Sequence, residues 1–462
     1  MKNMNNNLGK ACIVKDKDFY KMLFTIALPI AMQNLVIFLT QMLDTVMLGD
    51  LGEVAMSASN LANQPFFIFN MLTFGLAGGA TVLTAQYWGK KELGAIKKIM
   101  TMIILFAMIV GAILNAVVLI FPTQIMSIFS NDPAVIEQGA QYLKIIGFSY
   151  IFFGFTSTFY TVIRSVEVVK IAVISNVTAL IVNATLNYCL IFGKFGFPEM
   201  GVKGAALATV IARICEFTIA VIYMLFFDKK LCLKIKDFFK IDKLLLKDIL
   251  RISSPVAANE VMWALGMSMQ AGLLGKLGTD AVAANSIISV VQQLSTVFVF
   301  GVANAAAVMI GKAIGEGDMK KALDRGHTFK IISFIFGILV TLVIILLRNV
   351  AIDFYNVTDA TKALAHQMIY VAAGVGFFVS IAGIGIVGIL RGGGDTKFSL
   401  WIEIIALWCI AVPCAYFSAY VLHFPVVLVY LVMKIDEPVK DFLYLIRTRG
   451  DRWLRDVTRT GV

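Results

Sequence analysis

The stretch GDLGEVAMSASNLANQPFFIFNMLTFGLAGGATVLTAQYWG at residues 49–89 decides the fold, because it returns later in the chain. Residues 275–315, GKLGTDAVAANSIISVVQQLSTVFVFGVANAAAVMIGKAIG, match it without a gap at an offset of 226 residues. The same offset brings Pro29 onto Pro255. A long internal match of this kind predicts two halves that fold alike.

The composition around this repeat is that of a membrane protein. Of the 462 residues, 59% are hydrophobic and 15% are charged, and the mean hydropathy is +0.84. Soluble domains are about 45–50% apolar and about 25% charged. The composition therefore excludes an ordinary soluble enzyme and a disordered chain. The apolar runs are continuous rather than alternating, which excludes a membrane β-barrel and predicts transmembrane helices.

Apolar stretches between polar breaks predict twelve transmembrane helices. The predicted spans are 22–46, 58–86, 99–121, 141–163, 171–192, 204–227, 250–274, 285–311, 329–347, 367–390, 398–420 and 424–446. The expected fold is an all-α membrane protein with two pseudo-symmetric six-helix bundles. Because six is an even number, both halves enter the membrane in the same direction, as in a parallel repeat.

The same pattern predicts the domain boundaries. We expect a cytoplasmic N-terminal tail at 1–21, a first bundle at 22–227, a cytoplasmic amphipathic linker at 228–249, a second bundle at 250–446 and a cytoplasmic tail at 447–462. The linker mixes Lys and Asp with Leu, Ile and Phe, which is typical of a segment that lies on a membrane surface.

The net charge of +11 is explained by topology. With the N-terminus inside, the predicted inner segments hold 31 of the 40 Lys and Arg residues and the outer segments hold six. This bias predicts a multi-pass protein of the cell membrane with both termini in the cytoplasm, and it argues against binding to nucleic acid. Two of the inner arginines, Arg164 and Arg391, meet when the halves are aligned at an offset of 227.

The N-terminal stretch does not suggest a signal peptide, and the cysteines do not suggest a metal site. The N-terminal stretch is polar and lacks the apolar core of a signal peptide, so we expect no removable leader. The six cysteines stand alone, without the spacing of a metal site, and are expected to be small apolar residues.

No motif in the sequence indicates that the protein binds or hydrolyses ATP. The chain has no phosphate-binding loop of the G-x-x-x-x-G-K-[ST] type, no HExxH and no soluble domain large enough to bind ATP. We therefore expect no enzyme activity, no catalytic residue, no organic cofactor and no ATPase subunit. If the protein moves a solute, the work has to come from an ion gradient, which requires acids inside the membrane.

Two acids are the candidates for cation coupling. Asp44 lies toward the outer end of the first predicted span. Glu260 lies nine residues after Arg251, about 13 Å along a helix, and so near the middle of the membrane. The alternatives are an interfacial acid at a helix end for Asp44 and a buried hydrogen-bond partner for Glu260.

The two repeat-related prolines, Pro29 and Pro255, fall early in equivalent spans. Each removes a backbone hydrogen bond and can kink its helix, so both are candidate structural hinges. Each is followed by polar residues that could meet freed carbonyls or a ligand: Gln33 and Asn34 in the first half, and Asn259 before Glu260 in the second.

The fifth span carries a polar face. Asn183 and Asn187 are four residues apart and therefore lie on one side of a helix. One interpretation is hydrogen bonding between helices. The other is a hydrated polar face beside Asp44, which would contribute to a substrate cleft.

Other charged residues within the spans have structural interpretations. Arg213 and Glu216 are three residues apart, as are Lys434 and Glu437, so each pair is predicted to neutralise itself on one helix face. Glu403 follows a basic loop closely, and both an interfacial and a functional position remain open for it.

Several strings together resemble the multidrug and toxic compound extrusion (MATE) transporters. They are DTVMLGDLG at 44–52, GAALAT at 204–209 and RGGGDTK at 391–397, together with the two prolines. The resemblance covers about residues 20–450 of the chain. It implies a V-shaped pair of bundles and an antiporter that exports organic cations or drugs in exchange for sodium ions or protons by alternating access.

The resemblance also implies roles for individual residues. Asp44 matches the first-helix acid implicated in cation coupling and substrate release. Glu260 matches the seventh-helix acid of NorM-like members, which implies a transient sodium ion there and no other metal. Asn183 and Asn187 match polar positions of the fifth helix, and some DinF-like relatives carry an acid at the position of Asn187.

The sequence departs from NorM-like members in the tenth helix. Where they carry another acid, this chain has Ser380, which joins the candidate cleft residues. A sodium ion needs several oxygen ligands and Ser380 offers only a neutral one, whereas a proton needs one carboxylate. The coupling ion therefore stays open between sodium and the proton.

The expected partners are the lipid bilayer and small molecules. Most of the 35 Phe and 21 Met residues are expected to contact lipid and the core, and those that line a cleft would suit flat lipophilic cations. Two other functions remain open. A lipid-linked-oligosaccharide flippase of the same superfamily would be expected to have extra spans and more basic residues in the cleft. A membrane receptor or scaffold would show no flux at all.

Overall fold

The structure, a computed structural model, describes residues 11–355 and 357–459. The first ten residues of the predicted tail 1–21 and the last three of the predicted tail 447–462 lie outside the described residues. Within those two ranges the chain forms helices and connecting turns and no strand. The predicted class, an all-α membrane protein, is confirmed.

The described ranges contain seventeen α-helices. They are α1 (Lys17–Gly49), α2 (Glu53–Ala62), α3 (Gln64–Gly89), α4 (Leu93–Ile120), α5 (Pro122–Phe129), α6 (Pro133–Ile146), α7 (Ser149–Ile163), α8 (Lys170–Phe192), α9 (Val202–Ile222), α10 (Lys243–Leu277), α11 (Thr279–Gly315), α12 (Met319–Phe354), α13 (Asp359–Ala382), α14 (Thr396–Glu403), α15 (Val412–Tyr420), α16 (Val426–Met433) and α17 (Asp436–Arg447). Wider π-helical turns extend α9 at Tyr223–Phe227, α13 at Gly383–Leu390 and α14 at Ile404–Ala411.

Nine helices in the described part of the chain are long and apolar enough to cross a membrane. A tenth is obtained if the pair Pro133–Ile146 and Ser149–Val166, which bends by 56°, counts as one span. These ten coincide with ten of the predicted spans. The other two predicted spans are also helical, but 250–274 carries several polar side chains and 424–446 is divided between α16 and α17. The count of twelve stays a prediction.

Local sequence explains where the helices begin and end. The carboxylate of Asp132 accepts a hydrogen bond from the backbone N–H of Ala134, and Pro133 occupies the first turn of α6. Asp318 caps α12 in the same way through the backbone N–H of Lys321. At the other end, α8 stops at Gly193, which adopts the left-handed conformation at φ 64°.

The chain forms two compact units. The N-terminal unit comprises Met32–Thr84 and Leu93–Leu250. The C-terminal unit comprises the chain up to Ala31, Ala85–Glu92 and the chain from Arg251 onward. Contacts therefore group the beginning of α1 and the end of α3 with the second half of the sequence. The bundle boundaries read from the sequence remain a prediction.

In the C-terminal unit, two glycines that the repeat relates to each other lie in direct contact. A Cβ atom on Gly89, at the end of α3, would collide with the carbonyl oxygen of Lys312. A Cβ atom on Gly315, at the end of α11, would collide with the carbonyl oxygen of Gln86. The ends of two equivalent helices thus cross at a distance that only glycine allows.

Residues 451–459 pack against the ends of several helices in the C-terminal unit. In this C-terminal strap, residues 451–459, the side chain of Trp453 is 1% exposed and packs where Gly326 and Gly393 leave room. Gln86 donates a hydrogen bond to the carbonyl of Arg455 at 3.0 Å and accepts one from the backbone N–H of Val457 at 2.9 Å. The strap therefore joins the end of α3 to α12 and to the loop that follows Arg391.

Charged groups reinforce the strap. Lys90 pairs with Asp456 at 2.8 Å, and Arg447 and Arg455 pair with the buried Asp395 at 2.8 and 3.2 Å. Burial by itself raises the pKa of Asp456, but hydrogen bonds from the side chains of Lys90 and Thr458 outweigh it and hold the pKa below the usual range.

Candidate cation-coupling sites

In the N-terminal unit, Asp44 belongs to a chain of side-chain hydrogen bonds that joins three helices. Asn187 on α8 donates from its Nδ2 to the Asp44 Oδ1 on α1 at 2.5 Å and to the Asn183 Oδ1 at 3.2 Å. Asn183 donates in turn to the Thr209 Oγ1 on α9 at 3.3 Å. Both asparagines are buried, whereas Asp44 is half-buried. The fifth-span asparagines thus meet the first-span acid directly.

One acceptor in this chain of hydrogen bonds has no donor. The Oδ1 of Asn187 is buried and has no hydrogen-bond partner among the described residues. A buried amide oxygen without a donor costs free energy, so a ligand that brings a positive charge or a donor would be stabilised there. Asp44 and Asn187 together therefore offer oxygens for a small cation.

A cation of the protein itself lies near Asp44 but has its own counter-ion. Arg213 acts electrostatically on Asp44, yet its Nη1 pairs with the Glu216 Oε2 at 2.8 Å, and its guanidinium lies 5.0 Å from the ring centre of Phe153. The predicted pair of Arg213 and Glu216 is present. Because Arg213 is already neutralised, it leaves the carboxylate of Asp44 able to take up another cation.

The N-terminal unit has an open cleft of about 610 Å³. It is lined by Leu51, Ala55, Gln138, Gln141 and the turn at residues 199–203. None of the cleft residues expected from the sequence lines it. This cleft therefore adds no support to their assignment as substrate contacts.

In the C-terminal unit, Glu260 is held by an arginine that follows the tenth predicted span. The Nη1 of Arg391 pairs with the Glu260 Oε1 at 2.7 Å, and its Nη2 donates to the Oδ1 of Asn259. Asn259 and Arg391 are buried, and the Asn259 Nδ2 and the Arg391 Nε have no hydrogen-bond partner among the described residues. The carboxylate of Glu260 is therefore occupied by a cation of the protein.

The backbone around Arg391 departs from a regular helix. The π-helical turns Gly383–Leu390 lead directly into it. Such wide turns occur frequently at functional sites, because they shift side chains relative to a regular helix. The π turns thus set where the guanidinium of Arg391 lies relative to Glu260.

The repeat places a related but uncharged contact in the N-terminal unit. Arg164, the equivalent of Arg391, donates from its Nη2 to the Gln33 Oε1 at 3.2 Å, and both side chains are buried. Gln33 is the equivalent of Asn259, and Asn34 stands where the second half has Glu260. Both halves therefore keep an arginine–amide contact, and only the second adds a carboxylate.

Arg164 and Arg391 were not predicted as site residues, although the sequence contained the signal. The two arginines match at an offset of 227, one residue from the offset that matches Gln33 with Asn259. The alignment identified the arginines as equivalent, but it could not indicate which side chains they would reach.

The remaining candidates lie apart from these contacts. The Ser380 hydroxyl donates to the carbonyl of Gly376 in its own helix at 2.8 Å, and no hydrogen bond joins it to Glu260 among the described residues. Asn34 is half-buried. Pro29 and Pro255 lie inside α1 and α10, which continue through them. Their roles as cleft residue and hinges stay predictions.

One predicted ion pair is wrong. Lys434 does not pair with Glu437; its Nζ bonds the Gln270 Oε1 at 3.1 Å, while Glu437 pairs with Lys440 at 3.2 Å. The reason is that α16 ends at Met433 and α17 begins at Asp436, so that a spacing of three residues does not fall on one continuous helix.

Comparison with known proteins places the repeat in a family. A model of the MatE family matches residues 29–189 and 255–417, so that each half of the chain matches once. The "Probable multidrug resistance protein NorM" of Thermotoga maritima is 29% identical over 416 residues, with 89% of each chain covered. The "Probable multidrug resistance protein YoeA" of Bacillus subtilis is 24% identical over 399 residues, with 84% of each chain covered.

Solved structures agree on the fold. A MATE crystal structure in complex with MaL6 superposes with a TM-score of 0.85 at 18% identity, covering 93% of this chain and 96% of that one. The eukaryotic MATE transporter AtDTX14 superposes with a TM-score of 0.83 at 19% identity, covering 94% of this chain and 97% of that one. The chain therefore has the fold of these multi-pass membrane transporters.

Proposed function

The chain belongs to the MatE family, and from this premise we propose that it is a secondary active multidrug efflux antiporter of the cell membrane. It exports small lipophilic cations by alternating access while sodium ions or protons enter. Both termini lie in the cytoplasm, in agreement with the distribution of Lys and Arg. The names of the NorM and YoeA relatives support multidrug resistance as its role.

One observation carries the proposal: in each half, an acid within a predicted span is engaged by a partner that a cation would have to replace or supplement. Asp44 is bound by the amide of Asn187 and Glu260 by the guanidinium of Arg391. Acids within a membrane are costly and mark ion pathways. Each acid therefore has one state with its protein partner and a second state with a coupling cation.

The antiport follows from a difference in affinity between two conformations. A cation drives export only if it binds the outward-facing and inward-facing states unequally, and the substrate must do the same with the opposite preference. Arg391 provides such a difference at Glu260, because any movement that lengthens the 2.7 Å ion pair exposes the carboxylate to a cation. Neutralisation of Glu260 by that cation then favours the conformation in which Arg391 has moved away.

The test is transport by the full chain in proteoliposomes loaded with ethidium, a flat lipophilic cation. Sodium and proton gradients are imposed separately, so that each is tested as the driving force. We expect gradient-dependent ethidium flux in the wild type and its loss in Asp44→Asn and in Glu260→Gln. Asp50→Asn is the matched control, because Asp50 is an exposed acid just beyond the same helix.

The two arms assign the coupling ion. Flux driven by sodium at equal pH identifies sodium, and flux driven by a pH gradient without sodium identifies the proton. Absence of gradient-dependent flux in the wild type, or full flux in both acid variants, rejects the proposal. Movement of a fluorescent lipid in place of ethidium would instead assign the chain to lipid translocation.

A further inference from the structure

The twelfth predicted span contains a buried group of charged side chains that the proposed function does not use. Within the span, α16 ends at Met433 and α17 begins at Asp436, so that the helix is interrupted. Pro438 lacks the N–H that would continue the helix across the break. Interrupted helices at membrane depth occur where the backbone is buried in protein or lines a cavity, and in transporters they are found at ion sites.

One ammonium group in this segment serves three carboxylates. The Nζ of Lys440 lies 2.8 Å from the Asp436 Oδ2, 3.2 Å from the Glu437 Oε1 and 3.3 Å from the Glu403 Oε1 on α14. Asp436, Lys440 and Glu403 are all buried. Three negative charges around one positive charge leave an excess of negative charge in a poorly solvated place.

Nearby cations do not remove this excess. Lys434 acts electrostatically on Asp436 and Glu437 while its ammonium is bonded to the neutral amide of Gln270, and together with Lys440 it balances at most two of the three carboxylates. Glu260 acts on Glu403, but it is already paired with Arg391. The π-helical turns that pack against α17, at residues 383–390 and 404–411, contain no Asp, Glu, Lys, Arg or His. α13 carries all its charged residues near its beginning, and α14, which also packs against α17, carries Lys397 in its first turn, six residues before Glu403.

A fourth carboxylate, Asp441, has no partner at all in the described structure. It is 4% exposed, and both of its oxygens are buried without a hydrogen-bond partner. It lies one turn after Glu437 on the same helix face, within electrostatic reach of Glu437, Lys440 and the Tyr444 hydroxyl. An ionised carboxylate buried in this way is strongly destabilising unless a ligand neutralises it.

We propose that Asp441, with Glu437 beside it, is a binding site for a monovalent cation, a proton or a sodium ion, distinct from Asp44 and Glu260. A divalent metal does not fit, because such ions take six or more oxygen ligands, whereas Asp441 and Glu437 offer two carboxylates and Lys440 already pairs with one of them. The cation compensates the excess charge that Lys440 leaves. Its binding does not depend on the proposed function; its use as a second coupling ion does.

The test measures cation binding by the purified full chain in detergent, without transport. One arm counts bound ²²Na⁺ per chain at pH 8. The other counts protons taken up per chain between pH 9 and pH 5 without sodium. The variant is Asp441→Asn, and the matched control is Asp353→Asn, an exposed acid at the end of α12 in the same unit.

We expect Asp441→Asn to bind one cation fewer per chain than the wild type and Asp353→Asn. A loss of bound sodium identifies a sodium site, and a loss of proton uptake identifies a proton site. Equal counts in both arms overturn the proposal, since Asp441 would then take up neither sodium nor a proton under the conditions tested. These counts stand whether or not ethidium is exported, so failure here and failure of the antiport proposal are distinguishable.

A second variant guards against loss of folding. If Asp441→Asn elutes as aggregate in size-exclusion chromatography, Glu437→Gln is used in the same two arms. Removal of the negative charge of Glu437 should weaken the affinity of Asp441 for a cation by about tenfold, because that charge attracts the bound cation. An affinity of Glu437→Gln equal to that of the wild type for both sodium and protons overturns the proposal as well.

Discussion

At the level of single residues, the repeat allows a comparison between two buried arginines, one of which contacts a charged carboxylate and the other a neutral amide. Arg391 pairs with the carboxylate of Glu260, whereas Arg164 bonds only the amide of Gln33. Both guanidinium groups are buried. Between these two arginine contacts, a different response to a cation therefore arises at the position where the first half has Asn34 and the second has Glu260.

The ion pair of Glu260 and Arg391 can be tested by a double-mutant cycle. Arg391→Gln leaves the half-buried carboxylate of Glu260 without its partner and should destabilise the protein, by up to about 3–5 kcal/mol as for a buried pair. Glu260→Gln combined with Arg391→Gln removes both charges, so most of that loss should be recovered. Thermal unfolding in detergent without sodium measures both.

The control for this cycle is Arg164→Gln, which leaves no carboxylate behind. Arg164→Gln should lower the free energy of unfolding by less, about 1–3 kcal/mol, because it leaves only an amide without a hydrogen-bond partner. Equal destabilisation by Arg391→Gln and by the double variant would contradict a stabilising ion pair at Glu260.

Sequence reasoning reached these residues unevenly. The four-residue spacing of Asn183 and Asn187 predicted one face, and Asp44 beside that face was one of two interpretations that the sequence left open. The partners of Glu260 and Glu437 could not be predicted. Arg391 is distant in sequence from Glu260, and Glu437 follows a helix break that hydrophobic periodicity does not reveal.

At the level of helices, apolar length was sufficient to predict ten spans, and polarity limited the other two. The window 250–274 carries Glu260 and Gln270, and 424–446 carries the charged group of α17. The same polar residues that obscure these spans form the candidate sites. A sequence therefore predicts a transporter's spans least well where function places charge in them.

The crossing of α3 and α11 can be tested with two Gly→Ala variants that should change stability in opposite directions. Gly315→Ala places a methyl group against the backbone at Gln86, so it should lower the unfolding temperature by several degrees. Gly374→Ala is the control within α13, where nothing lies within 4 Å of the added atom. It should stabilise the helix by about 0.5–1 kcal/mol. A Gly315→Ala protein as stable as the wild type would contradict the close crossing.

Across the whole molecule, duplication explains most of the architecture, and the strap at 451–459 adds contacts that the repeat does not contain. The repeat relates Gly89 to Gly315, and both lie in the C-terminal unit, so equivalent helices of the two halves meet within one compact body. The strap at 451–459 has no counterpart in the repeat and bonds to Gln86 beside that crossing. It fastens together parts of the C-terminal unit that are distant in sequence.

Trp453 is the residue on which the strap depends, because it is the strap's largest buried side chain. Trp453→Ala should destabilise the protein by about 3–5 kcal/mol, as expected for a large aromatic side chain removed from a packed site. Trp401→Ala is the matched control, since Trp401 belongs to the same unit but is 58% exposed, and its loss should change stability by about 0.5 kcal/mol or less. Thermal unfolding of both variants in detergent measures the difference. Equal unfolding temperatures for the two variants would mean that the burial of Trp453 contributes nothing to the stability of the fold.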